Sequence, residues 1–218
     1  MRRRSSERST GRTGQVRLGI RLPPVGEQLR NLLMCWHRRY SDVILTLFEL
    51  NEQEIHAAIL QRRIDVALIA SPTIWPTAVS EPLYRERLFA ALPEGHHLAS
   101  QEALDWASLR PEAFLVQGWD DSQTAREFYA SFMGSGISFS AHPASKQSIL
   151  GLVAAGFGVT LATAGQSEVI FPGVVYRPID ETNAWLQVEL TWFPEAEDAT
   201  VGRFIAFMRD EGRSRGLL

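Results

Sequence analysis

Apolar positions in the first third of the chain switch between two periods. Val16–Ile20 is a short apolar run, and Pro23-Pro24 breaks it. From about Val25 to Tyr40, Leu29, Leu32, Leu33 and Trp36 fall at helical spacing. Val43–Leu50 (VILTLFEL) returns to a strand pattern. Glu52–Arg63 is again amphipathic and helical, with Ile55, Ala58, Ile59 and Arg62 stacked by turns. Ile64–Ala70 (IDVALIA) is a continuous apolar run, as expected of a strand inside a parallel sheet. The order β-α-β-α-β with short loops predicts a doubly wound α/β unit.

A second alternation follows a loop at Ser71-Pro72 that also holds Pro76 and Pro82. Leu83–Leu92 reads as a long strand or a strand pair, Pro93–Ala99 as a turn and Trp106–Leu109 as a short connection. Phe114–Gln117 predicts a strand, and Thr124–Met133 a helix stopped by Gly134 and Gly136. Ile137–Ala141 predicts a further strand. Ser145–Leu161 (SKQSILGLVAAGFGVTL) then reads as an N-capped helix, a stop at Gly156 and Gly158, and a buried strand. Val174–Tyr176 and Leu186–Phe193 are strands, and Val201–Arg209 is a closing helix with Phe204, Ile205 and Met208 on one face. The predicted fold is α/β, with two lobes joined by two crossing segments. Residues 15–92 with 180–218 form one lobe and 93–179 the other, behind a polar basic tail at 1–14 read as disordered. In such sheets ligands bind at the carboxyl ends of strands, beside helix N-termini. The loops expected to face a cleft are Arg21–Pro24, Leu50–Gln53, Gln117–Asp121 and Ala144–Gln147.

Composition narrows the class. The chain has 218 residues, 45% hydrophobic and 22% charged, as in ordinary globular domains. Apolar runs such as Leu88–Leu92 are far too short to span a bilayer. No apolar stretch backs the arginine-rich start, so no secretory signal is read. A single cysteine, Cys35, excludes an internal disulfide and a cysteine-rich zinc site. These features predict a cytoplasmic protein. Residues 1–14 hold five arginines and one acid, so the body is more acidic than the net charge of −3, a poor surface for nucleic acid. Lysine occurs once, at Lys146.

Five segments, in order, carry a resemblance. They are VRLGI at Val16–Ile20, RRIDVALIA at Arg62–Ala70, EPLYRERLFAALPEGHHLA at Glu81–Ala99, ILGLVAAGFGVTLAT at Ile149–Thr163 and GVVYRPI at Gly173–Ile179. Together they resemble the effector-binding domain of LysR-type transcriptional regulators. The resemblance implies two Rossmann-like lobes of the periplasmic-binding-protein-like type 2 architecture and a small-molecule effector between them. It also implies a homo-oligomer and control of transcription through an attached winged helix-turn-helix. Only the arginine-rich stub stands where that domain and its linker helix are expected, so the chain as given is expected not to bind DNA itself and to be a truncated form, a late start or a fragment. The implied effector class is a carboxylic or aromatic acid.

The site candidates follow loop by loop. Where the family's first loop supplies a hydroxyl, this chain has Pro23 and Pro24, with Arg21 as a fork for a carboxylate. Glu52 stands where relatives carry a threonine, and it disfavours anions unless Arg21 or Lys146 balances it. Glu52 and Gln53 equally suit the first turn of a helix. Gln117 and Trp119 follow a strand, and the indole offers a stacking face or a cap on the core. Ser145 and Lys146 open the marked helix as donors to a carboxylate or carbonyl, and Ser145 also reads as a plain N-cap. No metal or cofactor is expected. His96 and His97 lie in a turn with Glu94 nearby, but adjacent histidines seldom face one ion. Cys35 and His37 point to different helix faces, and Gly156-Phe157-Gly158 follows a helix, the wrong order for a dinucleotide site. The expected function is a ligand sensor and not an enzyme. The alternatives are a free solute-binding protein and an α/β enzyme using Arg21, Glu52 and Lys146.

Overall fold

A computed structural model describes residues 14–20, 26–70, 75, 77–118, 123–194 and 198–217. Residues 1–13 of the basic tail therefore lie outside the described residues, and Gly14, read as the end of the tail, begins the first strand. The chain divides into two compact units, one of residues up to Glu86 with Leu186–Leu218, the other Arg87–Trp185. The sequence places the first crossing slightly later, after Leu92. The strand that crosses runs unbroken over Val79–Pro93, so no turn residue marks the passage.

The first unit contains strands β1 (Gly14–Ile20), β2 (Val43–Glu49), β3 (Val66–Ala70), the start of β4 (Val79–Pro93) and β9 (Trp185–Trp192). Their order is β2-β1-β3-β9-β4. β1 pairs in parallel with β2 and β3, and β9 joins β3 antiparallel. Helices α1 (Glu27–Arg39) and α2 (Glu52–Leu60) make the two crossovers, and α7 (Ala199–Ser214) closes the unit. Alternate residues Val16, Leu18 and Ile20 of β1 are buried, where they share a core with Leu32 and Trp36 of α1 and with Phe204 and Met208 of α7. Trp36 and Phe204 meet edge to face at 4.9 Å. Beneath the other face, Ile55, Ala58 and Ile59 of α2 cover Ala67 and Ile69 of β3. β3 is buried on both faces, which is why it reads as a continuous apolar run.

The helix predicted over Glu52–Arg63 ends earlier, at Leu60. Arg62 lies in the left-handed region at φ 56°, and its amide reaches Ile59 O at 3.1 Å while Arg63 N reaches Ala58 O at 2.8 Å. An exposed arginine occupies a position that glycine commonly fills, so no stop signal appears in the sequence.

In the second unit β4 continues between β7 (Thr160–Thr163) and β8 (Val174–Pro178), antiparallel to both. β5 (Phe114–Gln117) and β6 (Phe139–His142) pair in parallel. A parallel bridge from Phe114 to Val159 ties β5 to the strand leading into β7. Helix α5 (Lys146–Ala154) sets Ile149 and Val153 against Leu115, and Leu150 against Ala91 and Ala162. Gly156, at φ +83°, turns its end so that Gly156 N reaches Val153 O and Phe157 N reaches Leu152 O. At Gly158 a Cβ would sit 2.3 Å from the carbonyl oxygen of Ala113, so only glycine lets the strand approach β5. The segment read as a connection is a four-residue helix, α3 (Trp106–Leu109), capped by Asp105. The turn after β4 contains a short 3-10 helix, His97–Ser100. Helices α4 (Gln123–Met133) and α6 (Ala164–Ser167) complete the unit. Among the described residues no helix is long and apolar enough to cross a membrane.

Candidate functional site

Two adjacent parallel strands bring polar residues to one edge of the second unit. In β5 and β6 the register pairs Phe114 with Phe139 and Gln117 with His142. Phe114, Leu115 and Val116 are buried, and the run turns polar at Gln117, its last residue. The chain leaves β6 at His142, and Ser145 caps α5 three residues later. Gln117, His142 and the N-terminus of α5 therefore gather at the carboxyl ends of these strands, where parallel sheets bind ligands. Free N–H groups of the first helical turn add partial positive charge there.

Ser145 spends its acceptor capacity locally. Its Oγ accepts from Ser148 N at 3.2 Å and lies 3.1 Å from Ser148 Oγ. The N-cap reading of Ser145 is thus realised. Lys146 turns its amine back toward β7, donating to Thr160 Oγ1 at 2.9 Å and to the carbonyl of Leu161. Thr160 is wholly buried. Lys146 is half-buried as a residue, yet its amine is enclosed, and that desolvation pushes its pKa from 10.5 down to about 7. Among the described residues no carboxylate pairs with it. A lysine amine with three donor positions has one left after these two bonds.

His142 carries no signal in the sequence that marks it as a site residue. Its Nε2 is buried without a hydrogen-bond partner among the described residues. The hydroxyl of Tyr176 on β8 is in the same condition. A buried unpaired polar atom is costly, and one beside a strand end and a helix N-terminus is placed to meet a ligand group. Only the pairing of His142 with Gln117 reveals its position.

The candidates of the first unit are less visible. Helix α2 starts at Glu52, as the first-turn reading has it, behind Asn51. Asn51 Oδ1 accepts from Glu54 N at 2.9 Å while Asn51 N donates to the Glu54 carboxylate at 2.9 Å, a closed capping box. The side chains of Glu52 and Gln53 lie outside what is described, as do Arg21, Pro23 and Trp119 entirely. Of the eight sequence candidates, the structure brings together Gln117, Ser145 and Lys146, and adds His142.

Two α/β units of this kind define a two-lobed, Rossmann-like α/β architecture. The chain belongs to the family of the LysR substrate binding domain, whose profile matches residues 9–213. It is 26% identical over 200 residues to the HTH-type transcriptional regulator YnfL of Escherichia coli K12, covering 88% of this chain and 66% of that relative. The chain thus spans less than two thirds of the length of the curated relatives first matched. Its fold is similar to the crystal structure of CbnR, a LysR family transcriptional regulator, with a TM-score of 0.81 at 18% identity over 95% of this chain and 73% of that one. It is also similar to the BenM effector binding domain with its effector benzoate, with a TM-score of 0.74 at 19% identity over 94% and 95% of the two chains. At these identities the structural likeness establishes the fold alone.

Proposed function

We propose that this chain is the small-molecule effector module of a LysR-type transcriptional regulator and that its effector is anchored at the β5–β6–α5 end of the second unit. The observation that carries this reading is the enclosed amine of Lys146. It has no carboxylate partner among the described residues, and its residue opens the helix that follows the strand ending at His142, whose Nε2 is an orphan. A carboxylate is the group that completes this set, since it accepts from an amine, from helix N–H groups and from an imidazole N–H. The benzoate named for the BenM domain is a molecule of this class. Arg21, Pro23, Glu52, Gln53 and Trp119 are proposed as further contacts, with Trp119 supplying a stacking face. Effector occupancy then selects one conformation of the domain and one packing of its copies in a homo-oligomer, and transcription responds through an attached DNA-binding domain.

Thermal unfolding in the presence of benzoate and of small aliphatic carboxylates tests the reading. One of these classes is expected to stabilise the protein, with at least tenfold weaker apparent affinity in Lys146→Met and a smaller loss in Ser145→Ala. Equal stabilisation of all three proteins moves the effector elsewhere, and no stabilisation by any acid removes the carboxylate.

A further inference from the structure

The turn after β4 carries a second polar cluster, built from two stretches of the second unit. His96 Nε2 lies 3.2 Å from one oxygen of Glu112, and His97 Nε2 lies 3.5 Å from the other. One ligand atom from each of the three residues lies within 4.8 Å of those of the other two. Successive side chains usually diverge, but here His96 has an extended backbone and His97 begins the 3-10 helix. The two rings consequently face each other, with centroids 4.4 Å apart. Glu112 reaches them from the loop between α3 and β5, so the acid at the cluster is not the neighbouring Glu94.

We propose that His96, His97 and Glu112 bind a divalent transition-metal ion of the zinc class. Bonds of about 2.0–2.1 Å in a tetrahedral site put ligand atoms about 3.3 Å apart; each histidine nitrogen lies near that distance from a different oxygen of Glu112, and a turn of the carboxylate presents one oxygen to both. Two imidazoles and one carboxylate suit zinc or nickel better than calcium or magnesium, which prefer oxygen. The side chains of His96 and Glu112 are sheltered, at 15% and 18% exposure, while His97 is 70% exposed. The ion therefore enters from solvent through His97 and keeps an open fourth position for water. Binding moves one proton within the His96 ring. Its Nδ1 now accepts from Leu98 N at 3.3 Å, so the neutral ring carries its proton on Nε2. Coordination through Nε2 shifts that proton to Nδ1, and the Leu98 amide loses its acceptor. The ion would clip the turn after β4 to the entrance of β5, a structural role independent of effector binding.

Titration of the untagged protein with zinc ion, followed by calorimetry, tests this. One ion per chain is expected, with affinity reduced at least tenfold in His97→Ala and in Glu112→Gln. His97 is exposed, so its removal leaves the fold intact. Zinc is also expected to raise the unfolding temperature of the parent protein but of neither variant, to shift the Leu98 amide resonance, and to resist competition by magnesium or calcium. Fewer than one ion per chain overturns the site, and so does affinity unchanged in either variant. An unmoved Leu98 amide in the zinc-loaded protein overturns the His96 ligand.

Discussion

At the scale of single residues, Lys146 is a group whose chemistry departs far from its ordinary behaviour. In the unfolded chain its amine holds a proton to a pH near 10.5, and in the folded protein burial makes it release that proton at about 7. Between these values the unfolded state binds more protons, so stability rises with pH over that window. Below pH 7 both states are protonated and the whole penalty of an enclosed ammonium persists. Lys146→Met lacks this titration. The parent protein is therefore expected to gain stability relative to Lys146→Met between about pH 7 and pH 10, measured by urea unfolding. A flat or falling difference would show that the amine is solvated. A bound carboxylate reverses the effect by favouring the ammonium, so binding at about pH 8 should take up a proton, readable by calorimetry in buffers of different ionisation heat. Arg62 supplies a simpler case. It is exposed and holds a left-handed conformation at φ 56° after α2. Arg62→Gly removes the Cβ penalty and is expected to stabilise the protein by about 0.5–1 kcal/mol, the balance between relieved strain and a looser unfolded chain.

At the scale of elements, what could be read in the sequence depended on whether the signal was local. β3 announces itself because every residue from Val66 to Ile69 is buried. Helix α5 announces itself through Ile149 and Val153 on its inner face and Gly156 at its end. Gly158 shows the limit of such reading. The sequence marks it as part of a helix stop, whereas its reason is the carbonyl of Ala113, far away along the chain. A backbone oxygen cannot swing aside, so Gly158→Ala is expected to cost about 1–3 kcal/mol, the range for forcing an extra methyl into a packed site. Denaturant unfolding checks this, and a change under 0.5 kcal/mol, the size of an ordinary surface substitution, would mean the strand tolerates a wider spacing. The same distinction divides the candidate site. Ser145 was legible as an N-cap from its neighbours alone. The partners of Lys146 lie 14 and 15 residues away, and no spacing rule anticipates them. His142 becomes a candidate only through its register with Gln117, and Glu112 joins His96 across 16 residues of chain.

At the scale of the molecule, the two units differ in how the chain builds them. The second is one continuous segment, Arg87–Trp185. The first needs both ends of the chain, because β9 stands between β3 and β4 in its sheet. Helix α7 also brings Phe204 and Met208, both wholly buried, into the core around Val16, Leu18 and Trp36. Removing one buried phenylalanine costs about 3–5 kcal/mol. A whole domain is stable by only about 5–15 kcal/mol. A chain ended after Trp185 loses that helix and a central strand together, a deficit the remaining contacts of the first unit cannot offset. The second unit keeps its own support. Leu115, Ile149 and Val153 pack on one another, Trp106 stacks on Phe132 at 5.1 Å, and the Trp106 indole donates to Asn183 Oδ1 at 2.7 Å. In the amide spectrum of the shortened chain, dispersed resonances are expected to persist for Leu115, Ile149 and Val153 and to collapse for Val16, Leu18 and Leu32. If both sets collapse, the units fold only as one body. If both persist, β9 and α7 are dispensable and the first unit draws its stability from α1 and α2 alone.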